Sequence, residues 1–109
     1  MTVDPAPLQL TVTHHGPTTI DLTVTGELDV ATADGLHTWI VDTVTEHRPD
    51  AITLDLSRLQ FIDAAGVRTL YRLHALTAAG GCALTIGPAH QVFWWTLSRL
   101  GLQPSFAQR

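Results

Sequence analysis

The chain has 109 residues, of which 45% are hydrophobic and 15% charged, with a formal net charge of −4. That length and balance fit one globular domain, residues 1–109, with a modest core, and they exclude a disordered chain. There is no basic run and no Lys at all, which speaks against a nucleic-acid partner and removes Schiff-base and P-loop lysine chemistry.

Residues 1–7 carry Pro5 and Pro7 and read as a frayed tail, without the basic and apolar regions of a signal peptide. Residues 8–13 (LQLTVT) alternate apolar and polar, as a half-buried strand does. His14 to Pro17 form a turn, and residues 19–25 (TIDLTVT) alternate again, so the two runs predict an antiparallel hairpin. Gly26 to Asp29 break the second strand. A helix is expected over 32–47, with Thr32 as N-cap and Leu36, Trp39, Ile40, Thr43 and Val44 as its buried stripe. Arg48-Pro49 ends it.

Residues 51–56 (AITLDL) predict a central strand, and Leu59 to Ile62 lead from it to Asp63. The second helix covers 64–78, with Val67, Leu70, Tyr71 and His74 inward and Gly80-Gly81 closing it. Residues 82–86 (CALTI) form the next strand. Gly87-Pro88 then turns into a third helix over 89–100, with Phe93, Leu97 and Leu100 inward and Gly101 as its stop. Pro104 to Phe106 add a short extended end. The order β-β-α-β-α-β-α predicts an α/β fold: a small mixed sheet, antiparallel at its leading hairpin and then parallel, with three or four helices.

Chemistry is sparse. The six His residues lie on different elements without metal-ligand spacing, so no metal and no cofactor are expected. No G-x-S-x-G, G-x-G-x-x-G or P-loop occurs, and no activated nucleophile is visible, so the chain reads as non-enzymatic. The single Cys82 fits a reducing cytoplasm, and no apolar stretch is long enough to insert in a membrane. Asp29, Asp55 and Asp63 stand out, because Asp29 and Asp63 fall where strands give way to helices. That edge of an open α/β sheet is where sites form, although helix capping also explains an Asp there.

Two segments carry a family resemblance. One is Gly26-Glu27-Leu28-Asp29, followed by Thr32-Ala33; the other runs from Leu54 through Phe61-Ile62-Asp63-Ala64-Ala65-Gly66 to Val67. Both resemble the signature stretches of STAS domains, the sulfate transporter and anti-sigma factor antagonist family, and the likeness extends over roughly 8–106. The resemblance implies a STAS-like fold and a protein partner, a serine-kinase anti-sigma factor whose sigma factor is freed on binding. In the family a serine just before the Gly of D-S-S-G is phosphorylated and breaks that binding. Here that position is Ala65, preceded by Ala64, and neither has a hydroxyl.

Ala at this position matches the unmodified state in charge. The domain is then a constitutive antagonist, or it serves another complex, such as a lipid-transport ABC complex or a sensory scaffold. Thr69, one helical turn on, offers displaced regulation, although it reads first as an exposed helix residue. The contact surface implied by the family comprises Asp29, Asp63, Ala64, Ala65, Gly66, Arg68 and Thr69, with Gly66 allowing close backbone approach. Arg68 and Arg72 read first as a solvated helix face. At least one of Trp94 and Trp95 should be partly exposed, as a lid over the sheet or in a weak homodimer contact.

Overall fold

The computed structural model describes residues 8–102. Within them lie β1 (Leu8–His15), β2 (Thr19–Leu28), α1 (Ala33–His47), β3 (Ala51–Leu56), β4 (Leu59–Ile62), α2 (Ala64–Ala79), β5 (Ala83–Ala89) and α3 (Gln91–Arg99). The sheet order is β1-β2-β3-β5, with β4 also paired to β2. β1 pairs with β2 antiparallel, and every other pairing is parallel. The expected mixed α/β sheet is therefore present. The tail 1–7 and the Pro104 to Phe106 extension lie outside the described residues.

Alternation explains which side of the sheet is packed. Ile20, Leu22 and Val24 of β2, Ile52, Leu54 and Leu56 of β3, and Leu84 and Ile86 of β5 are all buried in one cluster. Leu36 and Ile40 of α1, Val67, Leu70 and Leu73 of α2, and Phe93 and Leu97 of α3 complete it. The intervening strand residues are polar: Thr53 and Thr85 share a hydrogen bond of 3.1 Å, and Thr11, Thr23 and Thr25 line an open concavity with Arg58.

The structure corrects several expectations from sequence. Residues 26–29 do not break the second strand, because β2 continues to Leu28. Gly26 has φ 107°, and the register shifts there as β2 changes partner from β3 to β4. Leu59–Ile62 is a strand, not a connector. β1 occupies one edge of β2, so β4 takes the edge that β3 begins. Gly87-Pro88 lies within β5 and is no turn. Proline is tolerated there because β5 ends the sheet order, and among the described residues no strand pairs with its outer side. α3 accordingly starts at Gln91, capped by His90, whose Nδ1 accepts from the Val92 N–H at 3.0 Å.

The helix faces shift as well. In α2, Tyr71 and His74 are only half-buried, while Thr69, Leu73 and Thr77 are buried. α1 packs beside α2, and its Leu36 and Ile40 join the same buried cluster as the strand residues. Leu100 is not inward but 42% exposed, one residue beyond α3. Trp95 is exposed, with the Arg99 guanidinium 5.0 Å from its ring centre, and Trp94 rests half-buried against Phe93. Trp39 and Val44 are half-buried against the core. Arg48 ends α1 in the left-handed conformation, φ 47°, donating its N–H to Val44 O at 3.0 Å.

Candidate interaction surface at the sheet edge

Parallel pairing of β2 with β4 sets Leu28 opposite Ile62, so each strand ends beside the other and hands over to its own helix. Asp29 and Asp63 are the next residues on each strand. The Asp63 N–H donates to Leu28 O at 3.3 Å, tying the two turns together. The register thus brings Asp29 and residues 63–66 to one edge, although 33 residues of chain separate Leu28 from Ile62.

Asp63 is the N-cap of α2. Its backbone is extended, and its Oδ1 accepts from the Gly66 N–H at 2.9 Å. Ala64 follows, exposed, and then Ala65, half-buried in the first turn. Gly66 is buried, and a Cβ at its position would collide with Leu28 O and lie 2.9 Å from Ile62 Cγ1. The close approach that Gly66 allows is therefore to the chain's own β2, not to a visiting surface. Thr69, 6% exposed, also faces inward and is not the exposed helix residue expected from sequence. Arg68 is exposed, and with Ala64, Val67, Tyr71, Leu100 and Leu102 it lines an open groove of ≈ 370 Å³. Arg72 is exposed as well.

The turn into α1 is built differently. Thr32 occupies the N-cap position but makes no side-chain cap bond to the helix, contrary to the expected role. Asp29 closes the turn before the helix: its Oδ1 accepts from the Ala31 N–H at 3.0 Å and the Thr32 N–H at 3.1 Å. The Thr32 hydroxyl turns back to the strand, accepting from the Asp29 N–H at 2.9 Å and donating to Glu27 O at 2.9 Å. Asp55, the third carboxylate, closes a local turn after β3 by accepting from the Ser57 N–H and hydroxyl at 2.9 and 2.6 Å. Turn closure accounts for Asp29 and helix capping for Asp63, and both stay half-exposed at the edge.

Sequence reasoning missed two apolar side chains of this region. Val30, directly after Asp29, is 76% exposed, and Phe61, at the end of β4, is 45% exposed. A large apolar residue in a turn and a break in strand alternation were the available signals. Both lie close in sequence to the aspartates of the edge, Val30 next to Asp29 and Phe61 two residues before Asp63. Cys82 is buried, and burial pushes its thiol up, which suits a core residue and not a nucleophile. Among the described residues no group of three or more His, Cys, Asp or Glu is placed to hold a metal. No described helix is long and apolar enough to cross a membrane.

Comparison with known proteins agrees with this architecture. Residues 9–108 match the sequence model of the STAS domain. No curated protein sequence matches the chain. Among solved structures, an anti-sigma factor antagonist from Mycobacterium paratuberculosis superposes with TM-score 0.75 at 22% identity, covering 93% of this chain and 84% of that one. The anti-sigma factor antagonist SpoIIAA in its unphosphorylated form gives 0.67 at 21% identity, covering 94% and 87%. A sulfate transporter family protein from Wolinella succinogenes gives 0.65 at 21% identity, covering 83% and 75%. Identities this low speak for a shared fold, while the match to the family reaches over nearly the full length; this chain belongs to the STAS domain family.

Proposed function

We propose that this chain is a non-enzymatic, cytoplasmic antagonist that binds a serine-kinase-type anti-sigma factor through the edge formed by Asp29, Val30 and the start of α2, and so releases the sigma factor. The observation behind this reading is the surface itself. Val30 and Phe61 are exposed beside a helix start whose first residues, Ala64 and Ala65, carry no hydroxyl. A phosphoserine at position 65 would add up to about two negative charges beside Asp63 and three bulky oxygens. Alanine keeps the surface neutral and small under all phosphorylation conditions, so binding is constitutive.

Arg68 and the groove beside it extend this surface along α2, and Gly66 and Thr69 shape it from beneath. Thr69 is a poor site for displaced phosphorylation, because a kinase must reach a hydroxyl that the packing encloses. The second reading is a regulatory domain of a transport complex, such as a lipid-transport ABC complex. The sulfate transporter family neighbour supports it at the level of fold. A pull-down separates the two: a kinase-like ATPase carrying sigma selects the first, and a membrane ATPase without sigma selects the second.

The direct test compares wild type with Ala65→Ser. Each is incubated with the kinase and ATP, and phosphorylation and complex lifetime are followed. Only the Ser variant should be modified, and its complex should then dissociate. Phosphorylation of the wild type, or an Ser variant that stays bound once modified, would overturn the constitutive reading.

A further inference from the structure

β1 is the outer strand of the sheet, and among the described residues no strand pairs with its free edge. Along such an edge alternate residues turn their N–H and C=O outward, ready to pair with another strand. Soluble proteins commonly block an edge of this kind with Lys, Pro or an inward charge. β1, LQLTVTHH, contains no Pro and no Asp, Glu, Lys or Arg. The whole chain carries a net charge of −4, so this neutral strand is where two copies meet with least repulsion. Residues 8–12 hold a regular register with β2, and the irregularity falls only between Val12 and His14. Leu8, Leu10 and Val12 share one side of the strand. Leu8 and Leu10 pack against the core, yet Val12 is 44% exposed. The apolar layer therefore runs to the edge of the sheet, and among the described residues Val12 there stays partly exposed.

We infer that β1 pairs antiparallel with β1 of a second copy, about a two-fold axis normal to the sheet at Leu10. Such an axis keeps the helices of both copies on one side. It sets Leu8 opposite Val12 and Gln9 opposite Thr11, apolar against apolar and polar against polar, and it uses the whole regular stretch. A second copy fits better than a charged peptide, because β1 itself carries no Asp, Glu, Lys or Arg to select one and its alternating residues complement their own reversed order. The two-fold reverses strand direction, so the edges carrying Asp29 and Asp63 point away from each other and both stay open. The contact is small against the roughly 1,200 Å² that marks a stable interface, so the dimer is weak and concentration-dependent. It stands independently of the partner proposed above.

Sedimentation equilibrium of the full chain, from micromolar to millimolar concentration, should show a monomer–dimer equilibrium. Val12→Lys should weaken association by about tenfold or more, as edge lysines do, with an unchanged circular dichroism spectrum. Trp95→Ala, on α3, should leave it unaltered. Mixing the single variants Gln9→Cys and Thr11→Cys under mild oxidation should give covalent dimers, because directly opposed residues lie within disulfide reach. Either variant alone should cross-link far less, and the buried Cys82 should not contribute. A chain monomeric throughout, an association that survives Val12→Lys or falls with Trp95→Ala, or equal cross-linking by single variants and mixture would overturn the inference.

Discussion

The two turns at the sheet edge start alike and finish differently. Each begins with an Asp at the end of a strand of the same parallel pair, and each Asp accepts backbone N–H bonds from the turn that follows. At α2 the helix is then seated by steric contact: Gly66 lies so close to Leu28 that no side chain fits between them. At α1 it is seated by polar bonds, with Thr32 bridging the Asp29 N–H and Glu27 O. Backbone-to-backbone packing leaves a helix start no room to shift, whereas a hydroxyl bridge can lengthen. The start of α2, which carries the family's switch position, is therefore the rigid half of the edge, and the turn bearing Val30 is the adaptable half.

Substitutions at four positions test that contrast. Gly66→Ala should be the most damaging, at about 3 kcal/mol, because the methyl group meets backbone that cannot move aside; urea unfolding measures it, and a loss below that of Thr32→Val would invert the comparison. Thr32→Val should cost about 1.5 kcal/mol by leaving the Asp29 N–H and Glu27 O without their bridge. Amide exchange in that variant should quicken at residues 29–33 and stay unchanged at 63–67; equal loosening of both turns would mean that they act as one unit. Asp63→Ala should cost about 1 kcal/mol, the usual worth of an N-cap, and Asp63→Asn should recover most of it. A larger loss in thermal unfolding would show that the cap and not Gly66 seats the helix. Val30→Ser should change stability by less than about 0.5 kcal/mol, since the side chain is exposed, while weakening capture of the partner. Unaltered partner affinity would remove the adaptable half from the contact surface.

Much of the fold was legible in the chain. Period-two alternation in residues 8–13 and 19–25 marked two strands, because a one-sided sheet must segregate its side chains, and the β-branched, apolar run of 51–56 marked a third. The helical stripe of Leu36 and Ile40 marked α1 in the same way. β4 was not legible: LQFI has only four residues and no alternation, and it pairs only because β2 runs on past β3. Gly87-Pro88 misled for a related reason, since a Gly-Pro pair that usually marks a turn can stay in a strand that ends the sheet order of the described residues. Thr69 was misplaced because the expected stripe runs through Val67, Leu70, Tyr71 and His74, whereas the buried face runs through Gly66, Thr69, Leu70, Leu73 and Thr77.

For the site, the sequence by itself determined the chemistry available: two aspartates at strand ends, a small-residue helix start, and no hydroxyl at Ala65. Those are properties of residue type and survive any arrangement. Only the tertiary structure decided that Asp29 and Asp63 share an edge, that Gly66 and Thr69 face inward, and that Val30 and Phe61 face out. Each depends on how β2, β4 and α2 approach one another, and close approach between distant segments is set by packing, not by local pattern.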